Sequence, residues 1–344
     1  MVSIPIAIVG AGGMGGRHLR ALGALYESGM ANVELVAVCD TREENAIHLA
    51  DKAEEMLGSR PEIFTSMEDM KKKRPDIEAV DITTDSGSHH LVAEMAFDLG
   101  YNVLCEKPLS LTVRGCNRVI DAWKRSGKVL SVGEQERRDP MCRLNKALLD
   151  SGAIGDPYSF LLGSARGGND IIIWPWRHYK NIGGIFVDAG VHAVDQMMYY
   201  LGDIEEVYAV SKVWEPKRYK GEKIGVAHFY EHWASEVPDE IDATAEDMVI
   251  STLKFKNGAV GQWTSFWAAH GETTEYAMIY GSKGSMAPAK QRRGNPLKLT
   301  IDGVVLLPSS LIITFGSFDS TNATQELVVP KSIPITFPIK NYLL

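Results

Sequence analysis

The sequence is poor in the features that mark several protein classes. Only four of its 344 residues are cysteine, Cys39, Cys105, Cys116 and Cys142. Their spacing matches neither a metal cluster nor a disulfide scaffold, so no metal site is expected. Cys39 and Cys105 lie inside apolar runs and read as buried free thiols, which fits a reducing compartment. No long Lys/Arg stripe occurs, and a net charge of −8 with a pI of 5.7 argues against a nucleic-acid partner. The short basic run Lys71-Lys72-Lys73-Arg74 reads as a solvated helix end. No apolar run approaches the roughly 20 residues of a membrane span. The opening Met-Val-Ser-Ile-Pro-Ile lacks the basic flank and cleavage site of a signal peptide. The expectation is a cytoplasmic protein with no membrane partner.

What is present is ordinary for a globular chain: 45% hydrophobic and 23% charged residues, enough for two cores. The first half alternates apolar runs with helical patterns. Ile4–Val9 reads as a strand buried on both faces. Gly10, Gly12 and Gly15 follow as G-x-G-x-x-G, with Gly13 and Met14 inside the turn. A helix over Arg17–Ser28 and a strand over Val33–Cys39 lead to Asp40. Strand, glycine turn, helix, strand and acid, in that order, are what a dinucleotide fold requires. The glycines let the backbone approach a pyrophosphate, and the helix N-terminus offers free N–H groups. Asp40 would accept from the adenosine ribose, which favours NAD. Arg42, beyond Thr41, could meet a 2′-phosphate and leaves NADP open. Further βα units carry the polar strand ends Thr83–Ser88 and Glu106-Lys107-Pro108. In a parallel, doubly wound sheet, these would face one crevice with the glycine turn. Lys107, held between a buried strand and a proline, has little freedom to leave that crevice; the alternative is an ordinary surface lysine.

The second half changes character near Gly133–Pro140. A helix over Met141–Ser151 precedes strand-like segments at Tyr158–Arg166, Glu205–Trp214, Asp247–Phe255, Gly261–Phe266 and Glu275–Tyr280. Such runs joined by turns suggest a largely antiparallel sheet. Among them, Gly183–Asp195 reads as part of one helix closing at Gly202. Asp188, His192 and Asp195, at i, i+4 and i+7, fall within roughly a 60° sector. Val191, Val194, Met198 and Leu201 form an adjacent apolar stripe. The polar sector is either a solvated face or one side of a site.

Taken together, Gly10–Gly15, Asp40, Glu106-Lys107-Pro108, Arg138-Asp139-Pro140, Ser151–Gly155, Trp176-Arg177 and Gly183–Asp195 resemble the Gfo/Idh/MocA oxidoreductases over about residues 1–285. The resemblance implies an N-terminal Rossmann domain (1–135) and a C-terminal α/β domain (136–310) whose large, mostly antiparallel open sheet forms a homodimer or homotetramer contact. Residues 311–344 depart from the family's usual helical close and read as an atypical tail or arm. The insertion from Lys217 to Ala243, with Tyr230, His232 and Trp233, is likewise outside the pattern. The implied activity is NAD-dependent oxidation of a secondary hydroxyl in a sugar, glycoside or cyclitol. His192 would take the hydroxyl proton, Lys107 would stabilise the alkoxide, and Asp188 would orient the hydroxyl or the imidazole. Asp195 is expected to support the helix. Thr83, Thr84, His89 and Glu106 join the glycine turn, Asp40, Thr41 and Arg42 as cofactor contacts. A Thr-Asp pair replaces the usual Thr-Pro before His89. Arg138, Trp174, Trp176, Arg177 and Tyr179 are candidates to line the substrate, with an aromatic plug over the core as the other reading of the Trp174–Tyr179 loop. A glycosidase with tightly held NAD, or a non-catalytic sensor on the same scaffold, remain as alternatives.

Overall fold

The computed structural model describes residues 3–221, 228–288, 297–301 and 304–306. The tail expected over 311–344, including Gln325–Val329, lies outside the described residues. The first sheet is built from β1 (Ile4–Val9), β2 (Val33–Cys39), β3 (Glu62–Phe64), β4 (Ala79–Ile82), β5 (Asn102–Cys105) and β6 (Leu130–Val132). Its order is β3-β2-β1-β4-β5-β6, and every pair is parallel. Helices α1 (Gly13–Glu27), α2 (Glu43–Leu57), α3 (Met67–Lys73), α4 (His89–Asp98) and α5 (Val113–Ser126) connect the strands. The near-continuous apolar strands follow from burial on both faces. Ile8 and Val38 pack with Leu19 and Leu49 on one side, and Ala7, Val80 and Val103 with Ala93 and Val119 on the other. Strand order reverses between β1 and β4. The chain leaves β1 and β4 toward opposite faces of the sheet there, into α1 and α4, and a crevice lies beyond the carboxyl ends.

The second domain begins with α6 (Pro140–Asp150), capped by Asp139, whose side chain accepts from the Met141 and Cys142 N–H groups. Strand β7 (Pro157–Gly167) follows, then α7 (Gly184–Asp188), α8 (Gly190–Leu201) and β8 (Ile204–Lys212). A small hairpin of β9 (Lys217–Tyr219) and β10 (Glu240–Asp242) stands apart from the main sheet. Strands β11 (Met248–Phe255), β12 (Val260–Ala269), β13 (Thr274–Gly281), β14 (Gly284–Ala287), β15 (Lys298–Ile301) and β16 (Val304–Leu306) complete it. The order is β16-β15-β14-β13-β7-β12-β11-β8, antiparallel except for the central β7–β12 pair. One face packs on α6 and α8 through Leu148, Met197 and Leu201 against Phe160, Leu253 and Ile279. The opposite face exposes Tyr208, Val210, Ile250, Val260, Tyr276 and Tyr280. No described helix is long and apolar enough to cross a membrane.

Two expectations change in detail. The first helix starts at Gly13, four residues before Arg17, so its N-terminus opens directly from the glycine turn. The stretch Gly183–Gly202 is two helices, not one, broken at Ala189. Gly190 sits where a Cβ would come within 2.8 Å of the Trp263 indole. The chain bends where its smallest residue seats on that ring, which an unbroken helix of bulkier residues could not do.

Candidate active site

Two cavities adjoin at the Asp188–His192 turn. The larger, about 650 Å³, runs from the glycine turn and Asp40 past Thr83, Thr84, His89 and Glu106 to Lys107, Trp176, Arg177 and Asp188. The smaller, about 230 Å³, lies between α8 and the inner face of the large sheet. It is lined by His192, Ser164, Arg166, Trp263, Ser265, Trp267 and Glu275.

The larger cleft has the features a dinucleotide needs. Gly10 has φ +100°, and a Cβ there would come within 2.6 Å of the Thr84 nitrogen. At Gly12 a Cβ would meet nothing within 4 Å, although the residue lines the cleft, so its backbone stays open to a pyrophosphate. The Thr83 hydroxyl donates to Gly10 O at 2.6 Å and ties the two loops together. Asp40 accepts from Ala11 N at 2.7 Å and Arg42 N at 2.8 Å, one bond to each oxygen, leaving lone pairs for ribose hydroxyls. The Arg42 guanidinium is engaged by Glu44 and Glu236 at 3.1 and 3.3 Å. A 2′-phosphate would have to displace both carboxylates. His89 is buried, its Nδ1 2.7 Å from Pro108 O and its Nε2 3.1 Å from Thr84 O, so it braces the loops. The Lys107-Pro108 bond is cis.

Where the cleft meets the second domain, an ion cluster crosses the boundary. Lys107 Nζ donates to Asp188 Oδ1 at 2.8 Å and to Asp188 O at 2.9 Å. Arg177 Nη2 lies 2.8 Å from Asp188 Oδ2. Asp188 is 4% exposed. Burial alone would raise its carboxyl, but Arg177 and Lys107 outweigh that and hold it below the usual range. Both carboxylate oxygens are thus engaged by cations. The imidazole of His192 is held instead by Glu134, with Nδ1 2.7 Å from Oε2. Glu134 also lies below the usual carboxyl range, because His192 outweighs its burial. With Nδ1–H donated to Glu134, Nε2 is the nitrogen left to act as an acceptor.

A second histidine is caged deeper in the first domain. His18 of α1 places Nδ1 2.7 Å from Asp81 Oδ2 and Nε2 3.0 Å from Glu106 Oε1. Glu106 Oε2 in turn accepts from Lys107 N at 3.0 Å, so the cage supports the backbone that carries the lysine.

Several expected substrate contacts fall elsewhere. Trp174 and Tyr179 pack on Ile171, Val237 and Ile241, the plug arrangement, while Trp176 does line the cleft. Arg138 is exposed and lines neither cavity. Its neighbour Arg137 is the one that engages Asp195, through Nε at 2.7 Å, pinning α8 to the interdomain turn. Sequence reasoning missed Glu134, His18, Trp263, Trp267, Arg166 and Glu275. Glu134 had a signal: it stands just past β6, at the same strand-end level as the Gly10 turn and Glu106. The others had none, since their convergence depends on sheet register and helix docking.

The six-stranded parallel sheet with its glycine turn is a Rossmann-type domain, and the second domain meets its cleft at the Lys107–Asp188 pair. Residues 4–134 match the oxidoreductase family's NAD-binding Rossmann fold, and residues 143–287 match the GFO/IDH/MocA C-terminal domain. The chain belongs to the GFO/IDH/MocA oxidoreductases. It is 31% identical over 234 residues to levoglucosan dehydrogenase of Pseudarthrobacter phenanthrenivorans, covering 64% of this chain and 57% of that protein. It is 31% identical over 218 residues to inositol 2-dehydrogenase of Salmonella typhimurium, covering 63% and 59% respectively. The chain thus spans less than two thirds of the length of these relatives. The structure of levoglucosan dehydrogenase with NADH superposes with a TM-score of 0.71 at 26% identity, over 87% of this chain and 76% of that one. An oxidoreductase domain protein from Kribbella flavida superposes with a TM-score of 0.73 at 25% identity, over 88% and 78%.

Proposed function

We propose that the protein is an NAD-dependent dehydrogenase oxidising a secondary hydroxyl of a sugar, glycoside or cyclitol. The observation that carries this is the Lys107–Asp188 pair across the domain boundary, beside an imidazole anchored at one nitrogen. NAD, held by Gly10–Gly15, Asp40 and the Thr83–Thr84 loop, supplies the hydride acceptor. Two protons of the Lys107 ammonium go to Asp188 and the third is available to the substrate oxygen. His192 Nε2 takes the hydroxyl proton, and Glu134 stabilises the imidazolium that results. Asp188 positions Lys107, and Arg177 balances the buried charge. The indoles of Trp263 and Trp267 suit the apolar face of a ring, with Ser164, Ser265 and Glu275 placed to read hydroxyls. The exposed apolar face of the large sheet supports a homodimer or homotetramer. The four free thiols support a cytoplasmic setting.

The test is a panel of polyols, glycosides and cyclitols with NAD and with NADP, following cofactor reduction and product together. NAD reduction by at least one member is expected, with NADP weaker because Arg42 is engaged by Glu44 and Glu236. No reduction and no product across the panel would overturn the reading. A redox-neutral glycosidase with retained NAD is the second reading, favoured by the turn His228–Glu236 that spans the cleft. It would release sugar without accumulating NADH.

A further inference from the structure

The insertion after β8 is anchored in one domain and docked on the other. Its base is the β9–β10 hairpin. There Arg218 is fully buried and donates to Gly168 O and Trp267 O at 2.9 Å and to Asp247 Oδ2 at 2.8 Å. Breaking a buried pair of this kind leaves an uncompensated charge inside the protein, so the base is fixed to the second domain. Lys220 donates to Ala234 O and Val237 O and ties the returning limb to the same base.

From that base the turn reaches the cofactor domain. Trp233 is 9% exposed, and its Nε1 donates to Asn45 Oδ1 at 3.1 Å. His232 stacks on His48 with ring centroids 3.9 Å apart and planes at 15°. Glu236 meets Arg42 at 3.3 Å. Asn45 and Arg42 are wall residues of the cofactor cleft on its Asp40 side. Below this bridge, Tyr230 stands in the cleft wall, stacked on Trp174 at 5.1 Å. Trp174 is itself packed on Ile171 and Val237, so the Tyr230 ring rests on a fixed support.

We propose that residues 230–236 form a cofactor strap: the substrate domain closes over the adenosine side of bound NAD, with Tyr230 touching the dinucleotide and the Trp233–Asn45 clasp setting how fast it leaves. A ligand bound across both domains is released only when one domain lets go, and the contacts that must break are those of the clasp. The clasp holds few groups, one hydrogen bond, one ring stack and the exposed Glu236–Arg42 pair, against a base built on a buried ion pair. Opening therefore occurs at the first domain and leaves the hairpin in place. The strap also pairs Glu236 with Arg42, the cleft residue that could meet a 2′-phosphate.

The test reads cofactor binding in the full chain and needs no substrate. NADH release is followed by stopped-flow fluorescence, and NAD affinity by calorimetry, for the wild type, Trp233→Ala, Asn45→Ala and Tyr230→Ala. Trp233→Ala and Asn45→Ala, which break the same clasp from opposite domains, are expected to speed release about tenfold, the equivalent of one hydrogen bond and its packing. Tyr230→Ala is expected to weaken NAD binding. Circular dichroism confirms that each variant is folded. Should Trp233→Ala not fold, Asn45→Ala tests the same bond from the other side. Release rates and affinities within twofold of the wild type in the folded variants would overturn the proposal, as would a lowered melting temperature with unchanged release, which would make the turn a domain tether only.

Discussion

His18 and His192 are both imidazoles held by carboxylates, yet one is caged and the other is aimed. His18 has a carboxylate on each ring nitrogen, Asp81 on one and Glu106 on the other. Burial alone would favour its neutral form, but the two bonds outweigh it and push its pKa up to about 10. A ring with both nitrogens donating has no lone pair to offer a substrate. His192 has one carboxylate, Glu134, on Nδ1, and lines the cavity under the large sheet. Its second nitrogen is the one that takes the hydroxyl proton in the mechanism we propose. The lesson is that the number of engaged nitrogens, more than the presence of a charged neighbour, separates a structural imidazolium from a proton carrier.

The sharpest way to break this comparison is to remove each ring. His192→Ala should lower kcat by about 10²–10⁴, the range for one general acid–base group, with NAD affinity by calorimetry near wild type and a smaller loss of stability than at His18, since one carboxylate and not two loses its partner. Turnover within a few-fold of wild type would refute its role. His18→Ala should do the reverse in kind: it leaves two buried carboxylates facing each other without the cation between them. A loss of about 3–5 kcal/mol in urea unfolding is expected. An unchanged midpoint would mean that solvent already screens the cage.

How much of this was legible in the sequence depends on how local each signal is. The glycine turn, Asp40 and the strand-end lysine are set by a few adjacent residues, so the cofactor cleft could be read directly. Asp188 and His192 were readable as a helical pair, and the break at Ala189 still leaves them about one turn apart. Trp174, Trp176 and Tyr179 are conspicuous as a cluster, and Trp176 of these lines the cleft, whereas Trp263 and Trp267 are ordinary strand residues. Only the pairing of β12 with β7, and the seating of Gly190 on Trp263, turn those two indoles toward the cavity. Glu134 was passed over as a linker residue, although its position just beyond β6 follows the same strand-end rule that singled out Lys107. The partner of Asp188 was not legible: Asp188 pairs with Lys107 and Arg177, while Glu134 holds the imidazole.

The smallest expected effect comes from pH, and it sharpens the comparison by adding a third ring. His178 is 3% exposed and accepts from Ile172 N at 2.9 Å through Nε2, with no carboxylate partner among the described residues. Burial first, then the charges of Arg218 and Arg177, lower its pKa to about 3. His18 and His178 must therefore tilt stability in opposite directions. The folded pKa of His18 lies above its unfolded value of 6.5, so its contribution is full below pH 6.5 and is lost as pH rises through about 10. The folded pKa of His178 lies below 6.5, so its contribution is full above pH 6.5 and is lost as pH falls through about 3. Many carboxylates also titrate on the acid side, so the readable quantity is the difference between wild type and a non-titrating variant in urea unfolding. The wild-type advantage over His18→Gln should shrink on going from pH 6.5 toward 10, and that over His178→Gln should shrink on going from pH 6.5 toward 3. Parallel curves in either case would mean that the ring titrates alike in the folded and unfolded chains. For His18, that result would place enough water inside the cage to remove the distinction between it and His192.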